Sequence, residues 1–238
     1  IEAVYFGTLS DVVRYYPNVN LGEVLPPDFK ASQRVWFTTS LEAAPESNTT
    51  IWTPAYLDAT GLGVVTTAAK AVYRPTGELI GVIGLDVTLT EMTTQIESSQ
   101  YYQSGYSLLL DESGRALALP DEGYRDILGR EPESGEFGPD MHLGASEFSS
   151  LVDRMVAGES GFLSINLNGE ETFVAYAPLQ SSGWSLATVV DAGEVLAAVS
   201  TLEQEWNAST QTTVLTRFLP VSVILILVAV IAGLLLTN

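Results

Sequence analysis

Residues 51–86 read IWTPAYLDATGLGVVTTAAKAVYRPTGELIGVIGLD, and the alternation of apolar runs with turn residues in this stretch sets the architecture. Ala68 to Tyr73 is strand-like, Pro75-Thr76-Gly77 supplies a turn, and Leu79 to Thr90 is a second strand-like run, so the segment is predicted to form a β-hairpin. In the second strand Ile80, Val82, Gly84 and Asp86 share one face, and Gly81, Ile83, Leu85 and Val87 share the other. Asp86 therefore keeps apolar company whichever face is inward. A carboxylate so placed needs a hydrogen-bonding or cationic partner, because burial without one is costly. Gly84, two residues earlier, leaves room on the same face for another group to approach. The plain alternative is that Asp86 caps a backbone amide or opens the next helix.

Toward the N-terminus, Arg34-Val35-Trp36 would place a guanidinium and an indole on one side of an extended backbone, a pairing suited to gripping a carboxylate and covering an apolar stem. Tyr56 and Asp58 add a phenol and a second carboxylate just before the hairpin. One cation and two anions drawn from these stretches suit a zwitterion.

Toward the C-terminus, Leu89 to Tyr102 has helical character, with Met92, Ile96 and Ser99 three and four apart, and a boundary is placed near residue 100. A second set of strands follows. Tyr106 to Leu110 and Arg115 to Leu119 flank the turn Asp111-Glu112-Ser113-Gly114, and Thr172 to Pro178 meets Trp184 to Val190 across Ser181-Ser182-Gly183. Pro120 to Pro139, rich in Asp, Glu, Gly and Pro, reads as a long loop; its carboxylates lack EF-hand spacing, and no metal site is assigned. From Ala192 onward Val195, Val199, Leu202 and Trp206 recur at helical spacing, predicting a stalk helix over 192–213. Phe218 to Leu236 reads FLPVSVILILVAVIAGLLL without a charge. With Val214 and Leu215 it predicts a transmembrane helix over 214–236, since about 20 apolar residues cross a bilayer core.

Pro54, Tyr56 and Asp58, followed by a strand, a turn, and Gly81, Val82, Gly84 and Asp86, form a Pro-x-Tyr-x-Asp element and a Gly-Val-x-Gly-x-Asp strand. In these residues the chain resembles the membrane-distal lobe of double Cache (dCache) sensor domains. Gly105 to Gly114 resembles the opening hairpin of the membrane-proximal lobe and Gly183 to Ala187 its closing strand, so the likeness runs from residue 1 to about 215. The resemblance implies an α+β fold of two PAS-like (Cache) lobes with antiparallel sheets, at 1–100 and 101–191, ahead of the stalk and the membrane helix. It further implies extracytoplasmic lobes on a cell membrane and a small-molecule ligand, such as an amino acid, in the distal lobe. Arg34, Trp36, Tyr56, Asp58 and Asp86 are implied to hold the ligand, with Arg, Trp and Tyr on its carboxylate and Tyr and Asp on its ammonium. Phe29 and Phe37 stand where the family pattern has tyrosines, which removes two phenolic hydrogen bonds. Family members begin with a transmembrane helix and a long periplasmic helix, whereas Ile1 already reads as strand, and no HAMP, kinase, cyclase or methyl-accepting region follows Asn238. The expectation is a fragment, or a chain whose signalling partner is a separate polypeptide, with a homo-oligomer as the other partner in view.

Composition narrows the classes further. The 238 residues carry 29 acidic against 10 basic side chains, a net charge of −19, which speaks against a nucleic-acid partner. No cysteine is present, excluding disulfides, thiolate metal sites and cysteine nucleophiles. A single histidine, His142, read as a surface residue, and the lack of a Gly-x-Ser-x-Gly or phosphate-loop motif leave no catalytic constellation, and no cofactor is expected. The competing class is an accessory subunit of a cell-surface assembly that uses the same fold as an interaction surface.

Overall fold

The computed structural model describes residues 2–43, 49–98, 103–133 and 135–197. The predicted boundary near residue 100, all but the first residues of the predicted stalk, and the predicted membrane helix lie outside these segments. No helix among the described residues is long and apolar enough to cross a membrane.

Two antiparallel sheets carry the fold. The first is built from β1 (Ala3–Gly7), β2 (Val13–Tyr16), β3 (Ile51–Trp52), β4 (Tyr56–Leu57), β5 (Val64–Tyr73) and β6 (Leu79–Thr88), in the order β2-β1-β6-β5-β3 with β4 also paired to β5. The predicted hairpin is its centre. Arg74 and Gly77 close the turn through Arg74 N–H to Glu78 C=O (2.8 Å) and Gly77 N–H to Arg74 C=O (2.9 Å), and Gly77 takes φ +85°, the left-handed conformation that favours glycine. Register sets Thr67 opposite Asp86 on one side of β6 and Ala3 opposite Asp86 on the other.

Helix α1 (Leu21–Val24) and a 3-10 turn at Ala31–Gln33 precede helix α2 (Val35–Glu42), which packs on β5 and β6 of this sheet. Trp36 and Phe37 from α2 join Ala3, Tyr5, Ala31, Ala69 and Val82 in the core. The expectation of an extended Arg34-Val35-Trp36 is corrected here. Arg34 is extended (φ −79°, ψ 151°) but serves as the N-cap of α2, so Trp36 already belongs to the helix. The run that follows, VWFTTSLE, has no Gly or Pro and buries Trp36, Phe37 and Ser40 on one face, a helical spacing that three residues are too few to reveal.

The second sheet, β7 (Tyr106–Leu110), β8 (Ala116–Ala118), β9 (Gly161–Leu167), β10 (Glu170–Leu179) and β11 (Trp184–Asp191), runs in the order β8-β7-β11-β10-β9. Helix α5 (Ser146–Val156) lays Phe148, Leu151, Val152 and Met155 onto it, against Leu108, Leu110, Val174 and Tyr176. The predicted long loop at 120–139 is also corrected: it contains helix α4 (Asp121–Leu128). Asp121 and Glu122 favour its first turn, Tyr124 and Ile127 pack inward, and Gly129 ends it at φ +67° with its N–H on Tyr124 C=O. Gly123 misleads a sequence reading because it counts as a helix breaker; a methyl there would overlap Leu119, so its bareness serves close packing.

Helix α3 (Leu89–Glu97), capped by Thr88 Oγ1 accepting from Glu91 N–H at 3.1 Å, links the two sheets. Leu89, Leu109, Leu117, Ala118 and Trp184 form a third buried cluster, with Trp52, Val64, Met92 and Ile96 packed against it. This cluster joins the first sheet to the second. Residues 192–197 continue from β11 as helix, and their start is clamped: the Glu194 carboxylate accepts the backbone N–H groups of Gln103 (2.7 Å) and Ser104 (2.9 Å) and the Ser104 hydroxyl.

Candidate functional site

Asp86 is the one carboxylate among the buried polar side chains described in the first lobe. It is 0 % exposed, on the inward face of β6. Its Oδ1 accepts the Tyr5 hydroxyl at 2.7 Å and the Thr67 hydroxyl at 2.6 Å. Tyr5 reaches it because Tyr5 lies opposite Gly84, and a methyl on Gly84 would overlap the Tyr5 ring. Gly84 thus makes the room its position suggests, and what fills that room is Tyr5. The Tyr56 hydroxyl lies 2.6 Å from Thr67 Oγ1 and 3.4 Å from the Tyr5 hydroxyl, extending the network toward β4.

The second Asp86 oxygen, Oδ2, is buried with no hydrogen-bond partner. Burial outweighs the two donated hydroxyls and pushes the carboxyl up to about 6. Burial likewise pushes the Tyr56 phenol up to about 12 and that of Tyr5 well above its ordinary range, with Asp86 adding to both. All three groups are thereby held toward their neutral forms.

Above this network is a small, half-open cavity of about 30 Å³. Tyr5, Tyr15, Trp36 and Tyr56 supply aromatic wall, Arg34 and Asp58 supply charge, and Leu21, Leu25 and Phe29 close it from the segment that contains α1. Tyr5 stacks on Tyr15 (5.6 Å, 3°) and meets the edge of Trp36 (4.8 Å, 66°), which fixes the ring positions. The Arg34 guanidinium lies 5.8 Å from the ring centroids of both Phe29 and Tyr56 and donates to Leu57 C=O at 3.3 Å. Asp58 Oδ2 accepts the Thr60 N–H (2.7 Å), the Thr60 hydroxyl (2.5 Å) and the Leu62 N–H (3.2 Å), which pins the turn before β5.

Arg34, Trp36, Tyr56 and Asp58, singled out in the sequence, all line this cavity. Asp86 does not. It lies one side chain beneath, behind the Tyr5 and Tyr56 hydroxyls, and forms no ion pair with Arg34. Phe29 lines the cavity, whereas Phe37 is 0 % exposed in the core, so only the first of the two missing phenols concerns the site. Tyr5, Tyr15, Thr60 and Thr67 were not foreseen. The pairing of β1 with β6 that brings Tyr5 to Asp86 spans 81 positions, and nothing local signals it.

Other concavities are larger and less convergent. A cleft of about 320 Å³ between α3 and β8 is mostly apolar, and a groove of about 440 Å³ holds Arg130, which is already paired with Glu136. His142 is not a free surface residue: its Nδ1 lies 2.8 Å from Asp140, its Nε2 3.4 Å from Asp153, and its ring fills the space beside Gly114. Among the described residues no group of three or more His, Asp or Glu side chains is placed to hold a metal ion.

Comparison with known proteins matches residues 6–199 to the Cache domain family. Methyl-accepting chemotaxis protein McpA of Pseudomonas putida is 27% identical over 179 residues, covering 74% of this chain and 24% of that protein. The chain thus spans about a quarter of the length of the relatives it matches. Among solved structures, the ligand-binding domain of Pseudomonas fluorescens chemoreceptor CtaA in complex with L-leucine superposes with a TM-score of 0.56 at 19% identity, covering 82% of this chain and 72% of that one. The ligand-binding domain of the Pseudomonas aeruginosa PAO1 amino acid chemoreceptor PctB in complex with L-Arg gives 0.56 at 19% identity, covering 93% and 76%.

Proposed function

Since the chain belongs to the Cache domain family, we propose that it is the extracytoplasmic sensing portion of a membrane-anchored receptor and holds a small zwitterion, an amino acid or a close analogue, in the distal-lobe cavity. The observation that carries this reading is the convergence of Arg34 and Asp58 on one aromatic-walled cavity, with Asp86 directly beneath it. Arg34 is the group for the ligand carboxylate; Asp58, Asp86 and the Tyr56 hydroxyl are those for its ammonium; Trp36 packs on the stem between them. This division follows from charge, since a guanidinium pairs bidentately with a carboxylate and a buried carboxylate needs a cation.

The cavity as it stands admits a body the size of water and little more, so ligand entry requires its cover to move. The cover is suited to that. Helix α1 contributes no buried residue, and its Val24 (43 %) and the preceding Val19 (38 %) are exposed, so few apolar contacts hold it down. Binding then draws Leu21, Leu25 and Phe29 onto the ligand. A change at Tyr56 has a short route onward: β4 adjoins β3, Trp52 of β3 packs on Trp184, and β11 leads from Trp184 into the helix that begins at residue 192. Lobes at 1–100 and 101–191, a stalk at 192–213 and a membrane span at 214–236 complete this reading. The accessory-subunit alternative loses ground, because Phe37, one of the two positions where a missing phenol would weaken a ligand site, lies away from the cavity.

Isothermal titration calorimetry with the twenty standard L-amino acids tests the proposal. At least one is expected to bind, and Arg34→Ala to weaken it at least tenfold. Silence across the whole panel, or equal affinity in the variant, would contradict it.

A further inference from the structure

Asp86 is fully buried and receives only neutral donors. The groups facing it are Tyr5 from β1, Thr67 from β5, Tyr56 from β4, Asp58 from the turn after β4, and Tyr15 from β2. Each is neutral or anionic near neutral pH. Arg34, the only cation lining the cavity among the described residues, is occupied by the Phe29 and Tyr56 rings and the Leu57 carbonyl. Oδ1 has two donors and buried Oδ2 has none, so an ionised carboxylate here would leave half its charge without a partner. A proton on Oδ2 removes that charge while both hydroxyl contacts to Oδ1 remain.

Resting on the reading of the cavity as a ligand site, we infer that in mildly acidic surroundings Asp86 exchanges its proton for the cationic group of the ligand, so that binding there releases a proton and tightens as pH rises. In this step the Asp86 O–H bond breaks, the proton passes to solvent, and the entering ammonium keeps its own protons and directs one toward the carboxylate. The Tyr5 and Tyr56 hydroxyls stand between cavity and Asp86, so a cation resting on them lies within a side chain's thickness of the carboxylate. At such range a positive charge lowers a carboxyl pKa by about 1–3 units, enough to empty a site that burial holds near 6. The pH of the surroundings becomes part of what the cavity reads.

The test uses wild-type protein and Asp86→Asn. Without ligand, a carbon-13 NMR titration of the Asp86 side-chain carboxyl in the wild type is expected to show a midpoint well above an ordinary aspartate; a midpoint at or below about 4 overturns the inference. Calorimetry with the twenty standard L-amino acids at about pH 5.5, in acetate and in MES, is expected to give binding heats that differ between buffers by the ionisation heat of the released proton. Affinity is expected to rise about tenfold from pH 5 to pH 7, and to be flat with pH in Asp86→Asn. Binding with equal heats in both buffers sinks the proton exchange and leaves the ligand site standing; no binding by any probe at any pH sinks the ligand-site reading as well.

Discussion

The indole rings of Trp52 and Trp184 meet with centroids 4.5 Å apart and planes tilted by 54°, one from the edge of the first sheet and the other from the start of β11 in the second. This contact sits in the cluster that joins the sheets, and Trp184 is 7 % exposed within it. Truncating either indole removes a large apolar area from a junction that few other elements bridge. Trp52→Ala, only partly buried, is expected to cost about 2 kcal/mol and Trp184→Ala about 3–4 kcal/mol. Urea unfolding of both single variants and the double variant is expected to show a coupling of about 0.5–1.5 kcal/mol. Strict additivity would mean the rings do not communicate.

Gly84 holds Tyr5 over Asp86 by having no side chain. Gly84→Ala forces a methyl into the Tyr5 ring, a cost of about 1–3 kcal/mol for overpacking, and swings the hydroxyl off Oδ1. Chemical denaturation checks the first effect. A fall in ligand affinity larger than that of Gly77→Ala, which alters only the exposed hairpin turn, checks the second.

Glu194 ties the start of the C-terminal helix to the start of β7 through Gln103 and Ser104. The Ser104 hydroxyl, and then the backbone N–H groups of Ser104 and Gln103, hold its carboxyl below the ordinary range. A depressed carboxylate keeps its contribution above the unfolded value and loses it as pH falls, so the clamp is expected to be intact at neutral pH and to release as pH drops below about 4. NMR chemical shifts of the Gln103 and Ser104 amides should report that release, and Glu194→Gln should show weaker clamping that no longer changes with pH in this range.

Much of this was legible in the residues. Alternation from Ala68 to Thr88 and the turn residues at Pro75-Thr76-Gly77 define the central hairpin without any partner in view. Arg34, Trp36, Tyr56 and Asp58 could be named as cavity residues because their chemistry fits one ligand, although the extended backbone expected there holds at Arg34 and gives way to helix at Val35 and Trp36. Three residues of alternation cannot distinguish a strand from a helix entered by its N-cap. Helix α4 was hidden by the acidic, glycine-containing composition that it shares with loops. The contacts around Asp86 were hidden for a different reason. Tyr5 and Thr67 reach it only after β1 and β5 have paired with β6 on its two sides, and such pairing depends on the whole sheet.

The most direct test of the account is a crystal structure of the protein grown with the tightest-binding amino acid from the calorimetric panel. The account predicts the ligand in the distal cavity, its carboxylate on Arg34, its ammonium at Asp58 and the hydroxyls of Tyr5 and Tyr56 above Asp86, with Leu21, Leu25 and Phe29 displaced to admit it. A ligand found instead in the cleft between α3 and β8, or in the groove beside Arg130, with the distal cavity unchanged, would contradict it.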